Sequence, residues 1–233
     1  MHKATSILLS AGLTLAVMPA LAAPANDDFG IWLSNTYQTD FGGSPYLAFL
    51  ELAPRTKNDN NDFAQIIVRP LLGYKLSQHL QLWAGYTWQG EYNEQTDFEL
   101  ATNDIIEQVQ WIDNWTPQLN FQYRFRLEQR LFEGEDTGHR MRHRLRFVYT
   151  IPDSKAYLIA VDELFVYFNS IDQGRLAHSV QTGINQNRSY VGIGYKLTPQ
   201  LNLDTGYQLQ YVHNYGTPDL TNHVWLTNIN VNF

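Results

Sequence analysis

Seven arginines lie on one face of a predicted β-hairpin between Pro117 and Ile151. In both halves of this segment charged and apolar residues alternate, and successive side chains of a strand point to opposite sides of a sheet. A polar turn at 133–138 joins the halves. The charged face carries Arg124, Arg126, Glu128, Arg130, Arg140, Arg142, Arg144 and Arg146. Guanidinium groups stay charged and fork onto carboxylates, sulfates and phosphates, so this face predicts anion binding.

The beginning of the chain predicts export. His2 and Lys3 precede an apolar run from Ile7 to Val17, and Ala20-Leu21-Ala22 is typical of a cleavage site. We therefore expect residues 1–22 to be a signal peptide and residues 23–233 to form one domain. The alternative is a membrane anchor, but the apolar run is shorter than the roughly 20 residues that a spanning helix needs.

The end of the chain indicates the destination. Apolar or small residues alternate with asparagines up to the terminal Phe233. This ending looks like the last strand of outer-membrane barrels, whose final aromatic is read by the barrel-assembly machinery. We therefore expect the bacterial outer membrane as the location, with lipid and lipopolysaccharide as surroundings.

Composition agrees with this interpretation. The chain has no cysteine, so no disulfide holds it together, and it carries a net charge of −7, which disfavours nucleic-acid binding. Its strands alternate and its aromatic content is high, as in outer-membrane barrels. The predicted fold is an all-β, antiparallel, up-and-down transmembrane barrel, which we expect to be a monomer.

Eleven strands can be read from the alternation. They are predicted at 29–37, 46–53, 63–76, 80–89, 105–115, 117–131, 140–151, 156–168, 188–197, 201–211 and 225–233. The segment 105–115 is the weakest, with a short helix as its alternative, and Pro70 predicts a β-bulge. Because single-chain bacterial barrels have even strand numbers, we expect about twelve strands, with ten as the alternative.

The connections fall into two groups. Short turns are expected at 42–45, 77–79, 152–154 and 198–200, and longer loops at 55–62, 91–104, 133–138, 169–187 and 214–222. Barrels of this class have short periplasmic turns and aromatic girdles. Tyr74, Tyr149, Tyr195 and Phe233 lie beside short turns or end a strand, so we expect them to form the periplasmic girdle.

The order of several segments resembles a family of uncharacterised outer-membrane barrels, known as a domain of unknown function, DUF2490. The segments are 28–33, 124–130, 142–146, 162–165, 186–188 and 192–195. The resemblance covers nearly the whole mature chain and carries over no catalytic residue. A fainter resemblance, of design alone, is to small oligosaccharide-specific porins, monomeric barrels with rows of arginine in the lumen.

Three functions remain open. If the apolar face meets lipid, the arginine face, together with Arg69 and Arg188, lines the lumen and favours a channel or binding barrel for small anionic solutes or acidic oligosaccharides. Alternatively, the arginines pair with lumenal acids and close the barrel; the candidates are Glu51, Glu128, Asp162 or Glu163, and Asp204. A membrane-embedded hydrolase would need a histidine and a nucleophile from His139, His143, His178, Ser179, Ser189 and His213, and no spacing pairs them. We expect no enzyme, no cofactor and no metal site.

Overall fold

The computed structural model describes residues 26–94, 97–132, 136–171, 180–215 and 217–233. These residues form eleven strands, which run as β1 Asn26–Thr39, β2 Tyr46–Lys57, β3 Asp62–Lys75, β4 Leu80–Asn93, β5 Asp97–Asn114, β6 Leu119–Phe132, β7 Gly138–Thr150, β8 Ala156–Tyr167, β9 Gly183–Lys196, β10 Leu201–Val212 and β11 Leu220–Asn232. Each strand pairs with its neighbours in sequence and β1 pairs with β11, so the sheet closes into a barrel. The predicted all-β, up-and-down barrel is confirmed. The predicted signal peptide lies outside the described residues.

The closing pair explains the strand number. Consecutive strands are antiparallel, but β1 and β11 run parallel, from Asn26 beside Leu220 to Gln38 beside Asn232. An odd number of strands can therefore close, and the described barrel has eleven, one fewer than the expected twelve. An even number of strands is required only when both chain ends lie at one rim. Here β1 begins at the rim opposite the one where β11 ends.

The strands are tilted with respect to the barrel axis. Following paired residues from Asn26 at the start of β1 leads round the barrel to Leu47 on β2. Leu47 is next to Ala48, which pairs with Thr39 at the other end of β1. One circuit of the barrel therefore shifts the pairing by about the length of a strand, as the closure of a tilted sheet requires.

One rim consists of short turns, including all four that the sequence predicts. Three of these turns share one local motif, because Ser77, Thr116 and Thr198 each accept a hydrogen bond from the backbone N–H three residues later. A serine or threonine that bonds its own backbone stabilises a tight turn. The segments 73–82 and 194–203, which contain two of these turns, are also similar in sequence. We call this end of the barrel the short-turn rim and the other end the long-loop rim.

Several strands are longer than predicted. The predicted loop at 91–104 is wrong, because β4 continues to Asn93 and β5 begins at Asp97. The predicted loops at 55–62 and 169–187 lose their ends to β2 and β9 in the same way, and β5 is a full strand rather than a short helix. Polar sequence hid these extensions, since a strand end that projects beyond an apolar belt needs no apolar face.

The predicted bulge at Pro70 is absent. The β3–β4 register is the same at Val68, opposite Trp88, as at Leu71, opposite Gly85. The β2–β3 ladder runs through Pro70 opposite Leu50. A side chain at Gly85 would place its Cβ 2.3 Å from the Pro70 carbonyl oxygen, so this glycine admits the close approach.

Outward-facing side chains are mostly large and apolar. Leu72, Val191 and Ile193 are more than half exposed, and many other leucines and aromatic residues share this surface. Such a continuous apolar exterior is typical of a barrel that meets lipid. Within the described ranges, no helix is long and apolar enough to cross a membrane.

The long-loop rim is fastened at Asp219. Its backbone carbonyl accepts the N–H of Asn26, and its carboxylate bonds Tyr211, the Asn214 N–H and His213. Burial raises the pKa of Asp219, but the hydrogen bonds from these three groups together lower it below its usual range. The hydrogen bonds to the Asp219 carboxylate therefore stabilise the fold only while this carboxyl is ionised.

We expect a pH-dependent loss of stability at this rim. Because the folded pKa of Asp219 is depressed, its contribution is fully present above the unfolded pKa of about 3.9 and disappears as the pH falls through the folded value. Thermal unfolding of wild type and Asp219→Asn should differ at pH 6, and the difference should shrink as the pH falls below about 3.9. A difference that stays constant as the pH falls further would contradict the assignment, and Asp153→Asn, in an exposed turn, is the control.

Candidate functional site: the lumenal arginine cluster

The barrel encloses a polar cavity of about 840 Å³. Ten arginines line it, namely Arg55, Arg69, Arg124, Arg126, Arg130, Arg140, Arg142, Arg144, Arg146 and Arg188. These include all nine arginines that the sequence predicts to face inward; Glu128 is also inside, at 1 % exposure. The alternation of β6 and β7 turns these side chains inward, because the apolar residues between them face out.

Two glutamates organise the centre of the cluster. Glu128 accepts hydrogen bonds from Arg140 Nε at 2.7 Å and Arg142 Nη1 at 2.8 Å. Glu163 accepts from Arg142 at 2.9 and 3.1 Å, and it also bonds Arg124. Arg142 on β7 therefore bridges the carboxylate of β6 and the carboxylate of β8, in the forked geometry that suits a guanidinium.

Two further ion pairs lie beside this centre. Arg130 donates to Asp104 at 3.2 Å and to the Tyr167 hydroxyl at 2.8 Å. Arg69 pairs with Glu51 and donates to Thr87 at 2.9 Å. These contacts link nearby strands, because Arg69 joins β3 to β2 and β4 and Arg130 joins β6 to β5 and β8.

Four lumenal arginines have no carboxylate partner among the described residues. Arg144 and Arg146 form neither an ion pair nor a side-chain hydrogen bond in this part of the chain. Arg55 and Arg188 lie over the Trp32 ring, with guanidinium carbons 3.9 and 5.1 Å from its centroid. Cation–π contacts hold a guanidinium in place without neutralising it.

Phe165 extends this stacking. The guanidinium carbons of Arg142, Arg188 and Arg140 lie 4.4, 4.9 and 5.2 Å from its centroid. Arg188 thus reaches both Phe165 on β8 and Trp32 on β1. The two rings and their arginines narrow the lumen, since they project from strands on different sides of it.

The wall formed by β8–β11 is different in character. Asp204 accepts hydrogen bonds from Tyr190, Asn228 and Asn230 at 3.1, 2.6 and 3.1 Å. The Tyr157 and Tyr190 rings lie over Gly194 and Gly192, where any Cβ would come within 2.2–2.3 Å of them. The glycines let both rings lie flat, which leaves room in the lumen beside an amide-rich surface.

Sequence reasoning missed several members of this site. Asp104 and Arg55 fell in predicted loops, and Trp32 and Phe165 appeared only in segments that carry the family resemblance, with no role assigned to them. Of the two adjacent acids, Glu163 faces the lumen, whereas Asp162 faces outward and bonds Ser189 at 2.8 Å. Alternation had predicted that one of the two must face each way, but it could not say which.

The predicted girdle residues lie outside, at the short-turn rim. Tyr74, Tyr149 and Tyr195 are 42–47 % exposed and Phe233 is 72 % exposed. Further exposed aromatics accompany them, namely Tyr37, Tyr46 and Trp111. Their membrane role stays a prediction.

The hydrolase candidates do not form a catalytic pair in the described chain. His143 bonds the Tyr123 hydroxyl at 2.7 Å and His213 bonds Asp219 at 2.9 Å. The hydroxyl of Ser189 donates to Asp162, not to a histidine. His139 has its backbone N–H bound by Asn169. His178 and Ser179 lie outside the described residues, and the remainder contains no group of three or more potential metal ligands.

Comparison with solved structures defines the class of this barrel. The fold is similar to that of the NanC porin, with a TM-score of 0.51 and 13 % sequence identity over 87 % of this chain and 99 % of that one. At this identity the likeness concerns the fold alone, which is porin-like.

The sequence itself identifies the family. Residues 29–221 match the family described as a protein of unknown function, DUF2490, and the chain belongs to it. An uncharacterized protein of Methylorubrum extorquens is 26 % identical over 236 residues, which span the whole of both chains.

Proposed function

We propose that this protein is an outer-membrane barrel that passes or binds small anionic solutes, acidic oligosaccharides among them. The observation that carries the proposal is the charge of the cavity wall. Ten arginines there face five carboxylates, those of Glu51, Asp104, Glu128, Glu163 and Asp204, in a chain whose net charge is −7. A positively charged wall inside an acidic protein attracts anions and excludes cations from the passage.

The proposed location rests on the exterior. An apolar surface with aromatic residues at the short-turn rim suits insertion between lipid and lipopolysaccharide. Export by residues 1–22, delivery to the assembly machinery through Phe233, and a monomeric state belong to the same proposal.

The paired and unpaired arginines have separate roles in this proposal. Arg130, Arg140 and Arg142 neutralise buried acids, so their main contribution is to the fold. Arg144 and Arg146 lie on the same face of β7 without a carboxylate partner among the described residues, so their fields act on a solute in the cavity. Selectivity should therefore depend on these two residues.

We expect Arg144→Gln/Arg146→Gln to lose most of the anion preference while remaining folded. Refolded protein in a planar bilayer under a salt gradient gives a reversal potential, which should move from the anion side toward zero in the variant. Lys57→Gln/Lys155→Gln removes the same charge at the two rims and should leave the sign unchanged. An unchanged reversal potential in the lumenal variant would refute the selectivity mechanism.

A closed barrel is the second candidate, because the ion pairs of Glu128 and Glu163 fill part of the lumen. Folded protein with no conductance in the same bilayer would favour it. Resistance of the unboiled protein to SDS reports folding independently of conductance.

A further inference from the structure

Positive charge exceeds negative charge at the centre of the lumen. We define the inner cluster as Arg124, Arg126, Arg140, Arg142 and Arg144 with Glu128 and Glu163. Five guanidinium groups there face two carboxylates, on the adjacent strands β6, β7 and β8. Arg124 lies directly opposite Arg144, and Arg126 directly opposite Arg142. Like charges in directly opposed positions repel, and burial strengthens the repulsion because water is excluded.

Three donors of this cluster are buried and unbonded. They are Nε of Arg124, Nη1 of Arg126 and Nε of Arg144. Arg124 and Arg126 are themselves 8 % and 2 % exposed. The nearest carboxylate oxygen to Arg126 Nη1 is that of Glu128, at 3.6 Å, which is too long for a hydrogen bond. Buried guanidinium N–H groups rarely remain without an acceptor, and a bound ion can supply the acceptor that the protein does not.

The three unbonded donors belong to neighbouring positions. Arg124 and Arg144 are a cross-strand pair, and Arg126 is the next residue on the same face of β6. Arg124 Nη2 donates to Glu163, and Nε and Nη2 of Arg126 donate to Gln108. These contacts fix the two side chains, so the free donors are presented from a preorganised wall.

The geometry points to a binding site for one tetrahedral dianion, sulfate or hydrogen phosphate, at Arg124, Arg126 and Arg144. A tetrahedral oxyanion offers acceptors in several directions and so suits donors from three arginines better than a flat monocarboxylate. Its two negative charges leave the inner cluster with a single excess positive charge. The cavity lining reaches Lys196 and Asn232 at the short-turn rim, which gives the ion a route of entry.

This inference rests on the proposed function only in that both use the lumen. An ion bound at the inner cluster would occupy the passage. The inference therefore names sulfate and hydrogen phosphate as the anions that compete most strongly for the passage. Its test measures binding rather than conductance, and it therefore applies equally to an open and to a closed barrel.

The experiment is isothermal titration of sulfate into refolded, detergent-solubilised protein at constant ionic strength, with sodium chloride as the balancing salt. We expect saturable binding with one sulfate per chain, and hydrogen phosphate competing for the same site. Arg144→Gln should weaken binding at least tenfold. Arg144→Lys, which keeps the charge but loses the fork, should weaken it less than Arg144→Gln. Lys196→Gln, which removes one charge near the mouth of the cavity, should bind like wild type.

Each outcome supports or overturns the site. No saturable binding in folded wild type would overturn it and assign the free donors to water. Equal weakening by Lys196→Gln and Arg144→Gln would also overturn it, because a diffuse field would then account for the affinity. Stronger binding of acetate than of sulfate would overturn the assignment of a tetrahedral ligand and indicate a carboxylate instead. Anion-selective conductance without sulfate binding would overturn the site and leave the proposed function standing.

Discussion

Glu128→Gln should destabilise the barrel by about 3–5 kcal/mol. Glu128 is 1 % exposed and is the shared partner of Arg140 and Arg142, with Arg126 at 3.6 Å. Neutralising it leaves three buried guanidinium groups without their common counter-charge, and the remaining acid of the inner cluster, Glu163, is already shared by Arg124 and Arg142. Urea unfolding in lipid vesicles, followed by tryptophan fluorescence, measures the change.

The matched control is Glu94→Gln. Glu94 is exposed in the turn between β4 and β5 and forms no ion pair within the described residues, so its replacement should change stability little. Equal stability of Glu128→Gln and wild type would show that water or a bound ion, rather than the glutamate, balances these arginines. High salt should not rescue the variant, because buried pairs are poorly screened.

Gly206→Val should be the second severe change. A Cβ at Gly206 would lie 2.2 Å from the Val191 carbonyl oxygen and 2.5 Å from the Gly192 Cα. These are backbone atoms of the adjacent strand, so no side-chain rotation relieves the overlap and the β9–β10 ladder must separate locally. We expect a loss of about 1–3 kcal/mol or more and reduced yield of SDS-resistant barrel on refolding.

Thr205→Val tests the cause. It places the same side chain one residue away on the outer face, where the apolar exterior accommodates it and the only loss is the pair of hydroxyl contacts with the Leu226 carbonyl and Thr227. A barrel that tolerates both substitutions equally would show that the close approach at Gly206 is not required. Failure of both would indicate a general sensitivity of β10 rather than a contact with β9.

The sequence predicted which residues share a face better than which residues meet. Alternation along β6 and β7 places Arg124 and Arg142 inside, because a strand has only two faces. The partners of these arginines depend on register, and register here follows the tilt of the whole sheet. The register brings Asp104 to Arg130, and nothing local to this acid reveals it, whereas Glu163 was one of two adjacent candidates that the sequence could not separate.

Strand ends were the weakest part of the prediction for a related reason. Arg55 and Asp104 lie in polar segments that extend beyond the apolar belt, where sequence no longer distinguishes a strand from a loop. Their backbones remain paired because a neighbouring strand continues beside them. The strand number could not be deduced either, since it depends on the direction of β1 relative to β11.

Because β1 and β11 pair in parallel, the two ends of the barrel sheet lie at opposite rims, and the barrel is asymmetric with respect to a bilayer. Ten antiparallel strands can cross a membrane as five hairpins, each entering and leaving on the same side. The eleventh strand would then cross alone. In the membrane location proposed above, Asn26 at the start of β1 and Phe233 after β11 lie on opposite sides of the bilayer, so tags placed beside these two residues would report from different compartments.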